Sequence, residues 1–217
     1  DVSLARWSAA ADRDVETVRR AGGALTASGI LLAQGHDRWR FGHDLVREAI
    51  YRGAARAAYT MADVATIHRR LALALDREGV IGERAHHALH AKLELRTTLD
   101  WTIAAADHAR GQCAYEEAVM IVDRAIAWLG GHRDAALELA RGRALLDLGE
   151  VSAAREALLG ASALARRAGD QKMLAEVALA FGSRYVFGDT SRDLLTLLDQ
   201  AMAALPEPVL QTRPDTM

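Results

Sequence analysis

Several things are scarce in this 217-residue chain, and each scarcity excludes something. Cysteine occurs once, at Cys113, so no intrachain disulfide can form and a reducing, cytoplasmic setting fits. Proline is absent before Pro206, which removes the commonest helix breaker from nearly the whole chain. Aromatic residues make up only 5%. Lysine is confined to Lys92 and Lys172, and arginine carries the remaining positive charge, a bias expected of a GC-rich coding sequence. Neither lysine follows a glycine, so no phosphate-binding loop of the Gly-x4-Gly-Lys-Ser/Thr type is encoded. No Gly-x-Ser-x-Gly elbow occurs either, and Cys113 has no evident base close in sequence. No apolar run approaches the roughly 20 residues that span a bilayer, and the first residues lack a signal peptide's character. With a net charge of -2, the chain has no bulk attraction to nucleic acid or to an anionic membrane. We expect no catalytic centre and no metal site, and hence no enzyme activity from this chain alone.

What is abundant is alanine and leucine, a composition that favours helix almost throughout. One stretch departs from it. Residues 30–34 and 38–41 are two short apolar runs flanking Gly35-His36-Asp37, the pattern of a β-hairpin. A helix is expected before it, over about 14–28, with Val15, Val18, Ala21 and Leu25 on its apolar face. Another is expected after it, over 43–52, with Leu45, Val46, Ala49 and Ile50 apolar. Helix, hairpin, helix in that order suggests a winged-helix module. A helix over 61–78 carries Val64, Ile67, Leu71 and Leu75 at helical spacing. Gly79 and Gly82 then mark a boundary, and a short helix over 83–91 follows.

The later half is repetitive. Ala118, Val122 and Ala125 recur in frame as Ala154, Leu158 and Ala161, and again as Leu194, Leu198 and Ala201. Each set follows a glycine, at Gly111, Gly149 and Gly188. The intervals of 36 and 40 residues lie near the tetratricopeptide period of about 34. The expected organisation is mainly α: a winged-helix-like module with connecting helix over 1–80, tetratricopeptide-like helical hairpins over 81–205, and a loose tail over 206–217. A generic helical bundle is the plainer alternative for the second part. The Pro-rich end and the start without methionine suggest a piece of a longer polypeptide.

Two side-chain patterns bear on binding. His86, His87 and His90 share one short helix with Glu83. Histidines four apart can share a metal, but the zinc-protease glutamate is missing, so packing or surface roles are the plainer reading. Arg19 and Arg20 on the helix before the hairpin, with Arg38 and Arg40 in it, would be the cations of a DNA-binding winged helix. Asp12, Asp14 and Glu16 crowd the same region, and specific binding needs an excess of phosphate contacts.

The most informative run is Arg40-Phe41-Gly42-His43-Asp44-Leu45-Val46-Arg47-Glu48-Ala49-Ile50-Tyr51, followed by Ile67-His68-Arg69-Arg70-Leu71-Ala72. It resembles a segment of large bacterial signal-transduction ATPases of the STAND class, namely the LuxR-type large ATP-binding transcriptional regulators and cyclase-linked ATPases. The likeness covers roughly residues 10–130. In that family a Phe-x-His-x-Leu-Val-Arg-Glu-Ala-x-Tyr motif closes the winged-helix domain behind the ATPase core. The resemblance implies a regulatory segment of a transcription factor, with the ATPase core upstream and a DNA-binding domain downstream. ATP or ADP would be bound by the parent protein, and the helical repeats would meet a protein or small-molecule inducer. His43 would sense the nucleotide phosphates and Asp44 would be its structural neighbour. Gly42 departs from the methionine of the class's Met-His-Asp motif. A local role for His43 in bonding the helix start is the competing reading. Two other functions remain open: a stand-alone tetratricopeptide-like adaptor, and a DNA-binding winged helix.

Overall fold

The polar turn at 35–37 does join two strands. The computed structural model describes residues 1–57, 61–78 and 80–183, together with 192, 195, 196, 198, 199 and 202. Of the residues singled out above, Gly79, Gly188, Leu194, Ala201 and the tail over 206–217 lie outside the described residues. The chain is mainly α-helical with a small N-terminal antiparallel sheet, and it divides into two units, Asp1–Trp101 and Thr102–Met217.

In the first unit, β2 (Leu31–Ala33) pairs antiparallel with β3 (Arg38–Phe41) in the register Leu31↔Phe41 and Ala33↔Trp39. Gly35 has φ 78°, a left-handed conformation that a glycine adopts without cost, and the Gln34 N–H donates to the Arg38 carbonyl at 2.8 Å to close the turn. A third strand was not foreseen: β1 (Val2–Ser3) pairs with β3 on its other side, giving the order β1-β3-β2. Along β3 the side chains alternate, with Arg38 and Arg40 exposed and Trp39 buried, as a half-covered strand requires.

Trp39 anchors a small core with Leu4, Val18 and Leu31. Leu4 opens α1 (Leu4–Ala11), also unforeseen, whose first turn is capped by the Ser3 hydroxyl accepting from the Arg6 N–H. Trp7 of α1 meets Trp39 edge to face, with ring centroids 5.6 Å apart at 82°. The expected helix over 14–28 is α2 (Val15–Ala27), capped by Asp14, whose carboxylate accepts from the Thr17 N–H at 2.8 Å and from its hydroxyl at 2.7 Å. Those two bonds hold the Asp14 carboxyl below its ordinary value. Its inward face needs correction. Val15 is 46% exposed and Ala21 is exposed, whereas Val18 and Gly22 are buried. The face is set by Trp39: a Cβ on Gly22 would lie 2.7 Å from the indole Cε2 and Cζ2.

After the sheet come α3 (Asp44–Ala57), α4 (Met61–Glu78), α5 (Ile81–His90) and α6 (Leu95–Gly111). Gly82 is the second residue of α5, not a break before it, so the glycine signal misplaced that start by two residues. α4 packs on both α5 and α1. Ala65, Ala72 and Leu75 of α4 are buried, as are Ala85, Ala88 and Leu89 of α5. Arg70 of α4 reaches Asp12 at the end of α1 (2.8 Å), and Arg6 of α1 reaches Glu83 of α5 (2.7 Å). The boundary between the two units falls within α6.

In the second unit, α7 (Tyr115–Trp128), α8 (Ala135–Leu148), α9 (Val151–Ala168) and α10 (Gln171–Gly182) follow one another through short turns. The first two repeat sets lie on α7 and α9. Ala118, Val122, Ala125, Ala154 and Ala161 are 0% exposed and Leu158 is 1% exposed. Gly149 and Gly169 end α8 and α9 in the left-handed conformation, with φ 91° and 68°. Gly111 does not play that part. It is the last residue of α6, and the left-handed backbone falls at Cys113, φ 60°. Of the third set, Leu198 packs against a cluster around Ala178 of α10. α8 is in contact with α7, α9 and α10, which explains why its sequence carries no single apolar stripe. Its N-terminus is capped by Asp134, accepting from the Ala136 and Leu137 N–H groups at 2.9 and 3.0 Å. Replacing Asp134 by alanine is expected to cost about 1 kcal/mol, read as a lower urea midpoint with an unchanged slope.

Candidate functional site

Phe41 ends β3 and packs on the Trp39 core, so the strand fixes where the following helix begins. Gly42 bridges the two: its N–H donates to the Ile30 carbonyl at 3.0 Å, and a Cβ on it would lie 3.2 Å from the Gly29 carbonyl oxygen. The glycine found where the STAND motif has methionine therefore suits a close backbone approach. His43 follows immediately. Its carbonyl accepts from the Val46 and Arg47 N–H groups at 3.1 and 3.2 Å, while its side chain is exposed. Asp44 opens α3, is 90% exposed, and lies 3.6 Å from Arg47. The two sequence-proposed site residues are thus adjacent, solvent-facing and at the amino end of a helix, where the backbone dipole favours an anion.

α3 itself is unusual. Leu45 is 79% exposed, Ile50 is 45% exposed, and Ala49 is exposed. Periodicity marked this apolar face for burial, yet Val46 is half-buried and Leu45, Ala49 and Ile50 are exposed.

The histidines of α5 form a larger group than the sequence suggested, because α4 adds His68. Ring centroids are 5.0 Å apart for His68–His87 and His68–His90, 5.1 Å for His86–His90, 5.3 Å for His86–His87 and 6.2 Å for His68–His86. The Nδ1 atoms of His68 and His87 lie 2.8 Å apart, a hydrogen bond in which one ring donates and the other accepts. Burial, then the neighbouring His68, His86 and His90 rings and Arg6, pushes His87 down to about 4. Burial and the His90 and His86 rings lower His68 as well. Glu83, grouped with these histidines in the sequence, is engaged by Arg6. Among the described residues no three His, Cys, Asp or Glu groups are arranged to hold a metal ion.

On the second unit two shallow hollows carry charge. One is lined by Asp107, Arg110, Gly111, Tyr115, Arg143 and Asp147. Within it Arg110 holds Asp147 at 2.7 Å and Asp107 at 3.0 Å. In the other, Arg141 meets Asp123 at 2.7 Å, and Arg133 donates from Nε and Nη2 to one oxygen of the buried Glu138 at 2.9 and 2.7 Å. Of these residues only Gly111 stood out in the sequence, as a turn glycine; Arg110–Asp147 and Arg141–Asp123 join positions 37 and 18 apart that helix packing brings together.

The DNA-contact candidates are partly engaged elsewhere. Arg19 spans Glu16 at 3.3 Å and Asp37 of the hairpin turn at 3.2 Å, and the bond to Asp37 raises its already high proton affinity. Arg20, Arg38 and Arg40 are exposed. Cys113 is exposed in the turn after α6. No helix among the described residues is long and apolar enough to cross a membrane. No family model matches the chain, and no curated protein or solved structure is significantly similar to it.

Proposed function

We propose that this chain is a non-catalytic regulatory segment of an ATP-dependent transcriptional regulator of the STAND class. In this reading its first unit is a winged-helix-like relay, and its second is a tetratricopeptide-like array that meets a protein or small-molecule inducer. The observation that carries the reading is the placement of the Phe41–Tyr51 motif. Phe41 is anchored in the sheet core, His43 is exposed at a helix start, and the apolar residues Leu45 and Ile50 behind it are uncovered. An ATPase core upstream in the same polypeptide would cover α3 and bring a nucleotide phosphate to His43. An imidazole N–H donating to a phosphate oxygen makes a charge-assisted bond. If that bond exists only with ADP, it biases a closed against an open state.

The paired charges in the hollows on the second unit support the inducer half of the reading, because side chains already held in place need less ordering when a polar ligand binds. The engagement of Arg19 with Glu16 and Asp37 weakens the DNA-binding alternative. A charge-assisted hydrogen bond contributes about 1.5–3 kcal/mol, so His43→Ala in the intact parent protein is expected to weaken ADP retention by roughly 10- to 100-fold. Equilibrium dialysis with labelled ADP measures it. Unchanged retention would remove the sensor role and leave His43 as a residue that only bonds the helix start.

A further inference from the structure

The four histidines between α4 and α5 take no part in the proposed relay. We propose that they form an acid-sensitive latch: with the rings neutral, the His68–His87 hydrogen bond closes α5 on α4, and protonation of the cluster releases it.

The geometry sets the chemistry. An Nδ1-to-Nδ1 bond of 2.8 Å needs one N–H and one bare lone pair. A single added proton is tolerated, because an imidazolium N–H can still donate to the other ring. Two imidazolium rings cannot keep the bond, since two N–H groups would then point at each other. Charge on His86 or His90 adds repulsion of the same sign, with ring centroids 5.0 to 6.2 Å from His68. Cations on the elements that pack here carry charge of the same sign. Arg6 of α1 pushes on His87, Arg69 and Arg70 follow His68 on α4, and Arg84 of α5 lies over the Trp101 ring of α6 at 4.5 Å. Two of these guanidiniums are themselves paired with carboxylates, Arg6 with Glu83 and Arg70 with Asp12.

The direction of the pH effect follows. His68 and His87 hold protons less tightly in the fold than the ordinary histidine value of 6.5, His87 down to about 4. Between those limits the unfolded chain binds more protons than the folded one. Stability is therefore full above about pH 6.5 and falls as the pH drops toward 4. The helix pair loosens first, because the groups lie on its seam.

The test is the thermal midpoint of the full chain between pH 7.5 and 4.5, at fixed ionic strength with a chelator present. Amide exchange in α4 and α5, corrected for intrinsic rate, is followed alongside. The midpoint should fall by roughly 10 °C, and protection should be lost first in these two helices. His87→Gln, whose amide can still bond His68, should remove at least half of the fall, and His132→Gln, in the other unit, should leave it intact. A folded His87→Gln chain with the wild-type acid response would overturn the latch. Should that variant not fold, the exposed His86→Gln decides instead: a smaller acid fall supports the latch, and an unchanged one refutes it.

Discussion

Replacing Trp39 by alanine is expected to destabilise the first unit by about 3–5 kcal/mol, a large part of the 5–15 kcal/mol that holds a typical domain together. The indole is 5% exposed, packs with Leu4, Val18 and Leu31, and takes the edge of Trp7. It sits in the central strand β3, so its loss loosens β1 and β2 together. The urea midpoint of the first unit's transition, followed by near-ultraviolet circular dichroism, should fall sharply. A loss under 1 kcal/mol would mean that the three strands are held by something other than this side chain. The reverse perturbation, Gly22→Ala, sets a methyl 2.7 Å from the same ring and should cost about 1–3 kcal/mol, despite alanine's better helix propensity. Trp39 also bears on function. In the proposed relay, β3 sets the position from which His43 and α3 start, so a loosened strand should blunt nucleotide sensing without touching the nucleotide.

The parts of the fold legible in the sequence are those whose signal is local. The hairpin announced itself through two short apolar runs flanking Gly35-His36-Asp37, and α4 was bounded correctly because four apolar residues recur at helical spacing over 61–78. β1 was invisible, since two residues carry no period and it is defined only by its partner. Gly22 looks like a defect in α2 until Trp39 arrives from 17 residues away to occupy the space. The histidine group was half legible. His86 and His90 sit four apart on one helix and could be paired from sequence, whereas His68 joins them only because α4 folds back on α5. α3 shows the opposite case. Its apolar period was read correctly, but the inference from apolar to buried fails within the first unit, where Leu45 is 79% exposed. In the proposed parent protein this is where an upstream domain would sit. A local pattern can thus predict a covered face while remaining silent on what covers it.

The second large effect is expected at Leu158, which is 1% exposed and packs between α8 and α9. Leu158→Ala should cost about 2–5 kcal/mol through lost transfer energy and the cavity left behind. The cavity would open toward Gly142 of α8, where a built Cβ lies 2.6 Å from the Leu158 Cγ and Cδ2. Gly142→Ala alone should therefore destabilise as well, by roughly 1–2 kcal/mol once its gain in helix propensity is set against the clash. Combined, the two changes should partly repair each other. The new methyl enters the space that the leucine vacates, and alanine replaces glycine within a helix. The double variant should be more stable than the sum of the single losses by about 1 kcal/mol or more, which a double-mutant cycle of urea midpoints resolves. Additivity within a few tenths of a kcal/mol would show that Gly142 and Leu158 are not the contact that sets the spacing of α8 and α9. Coupling of the expected sign would give the repeat frame a physical meaning. On α9 the alanines at 154 and 161 allow close approach, the leucine at 158 fills the gap, and the glycine opposite makes room for it.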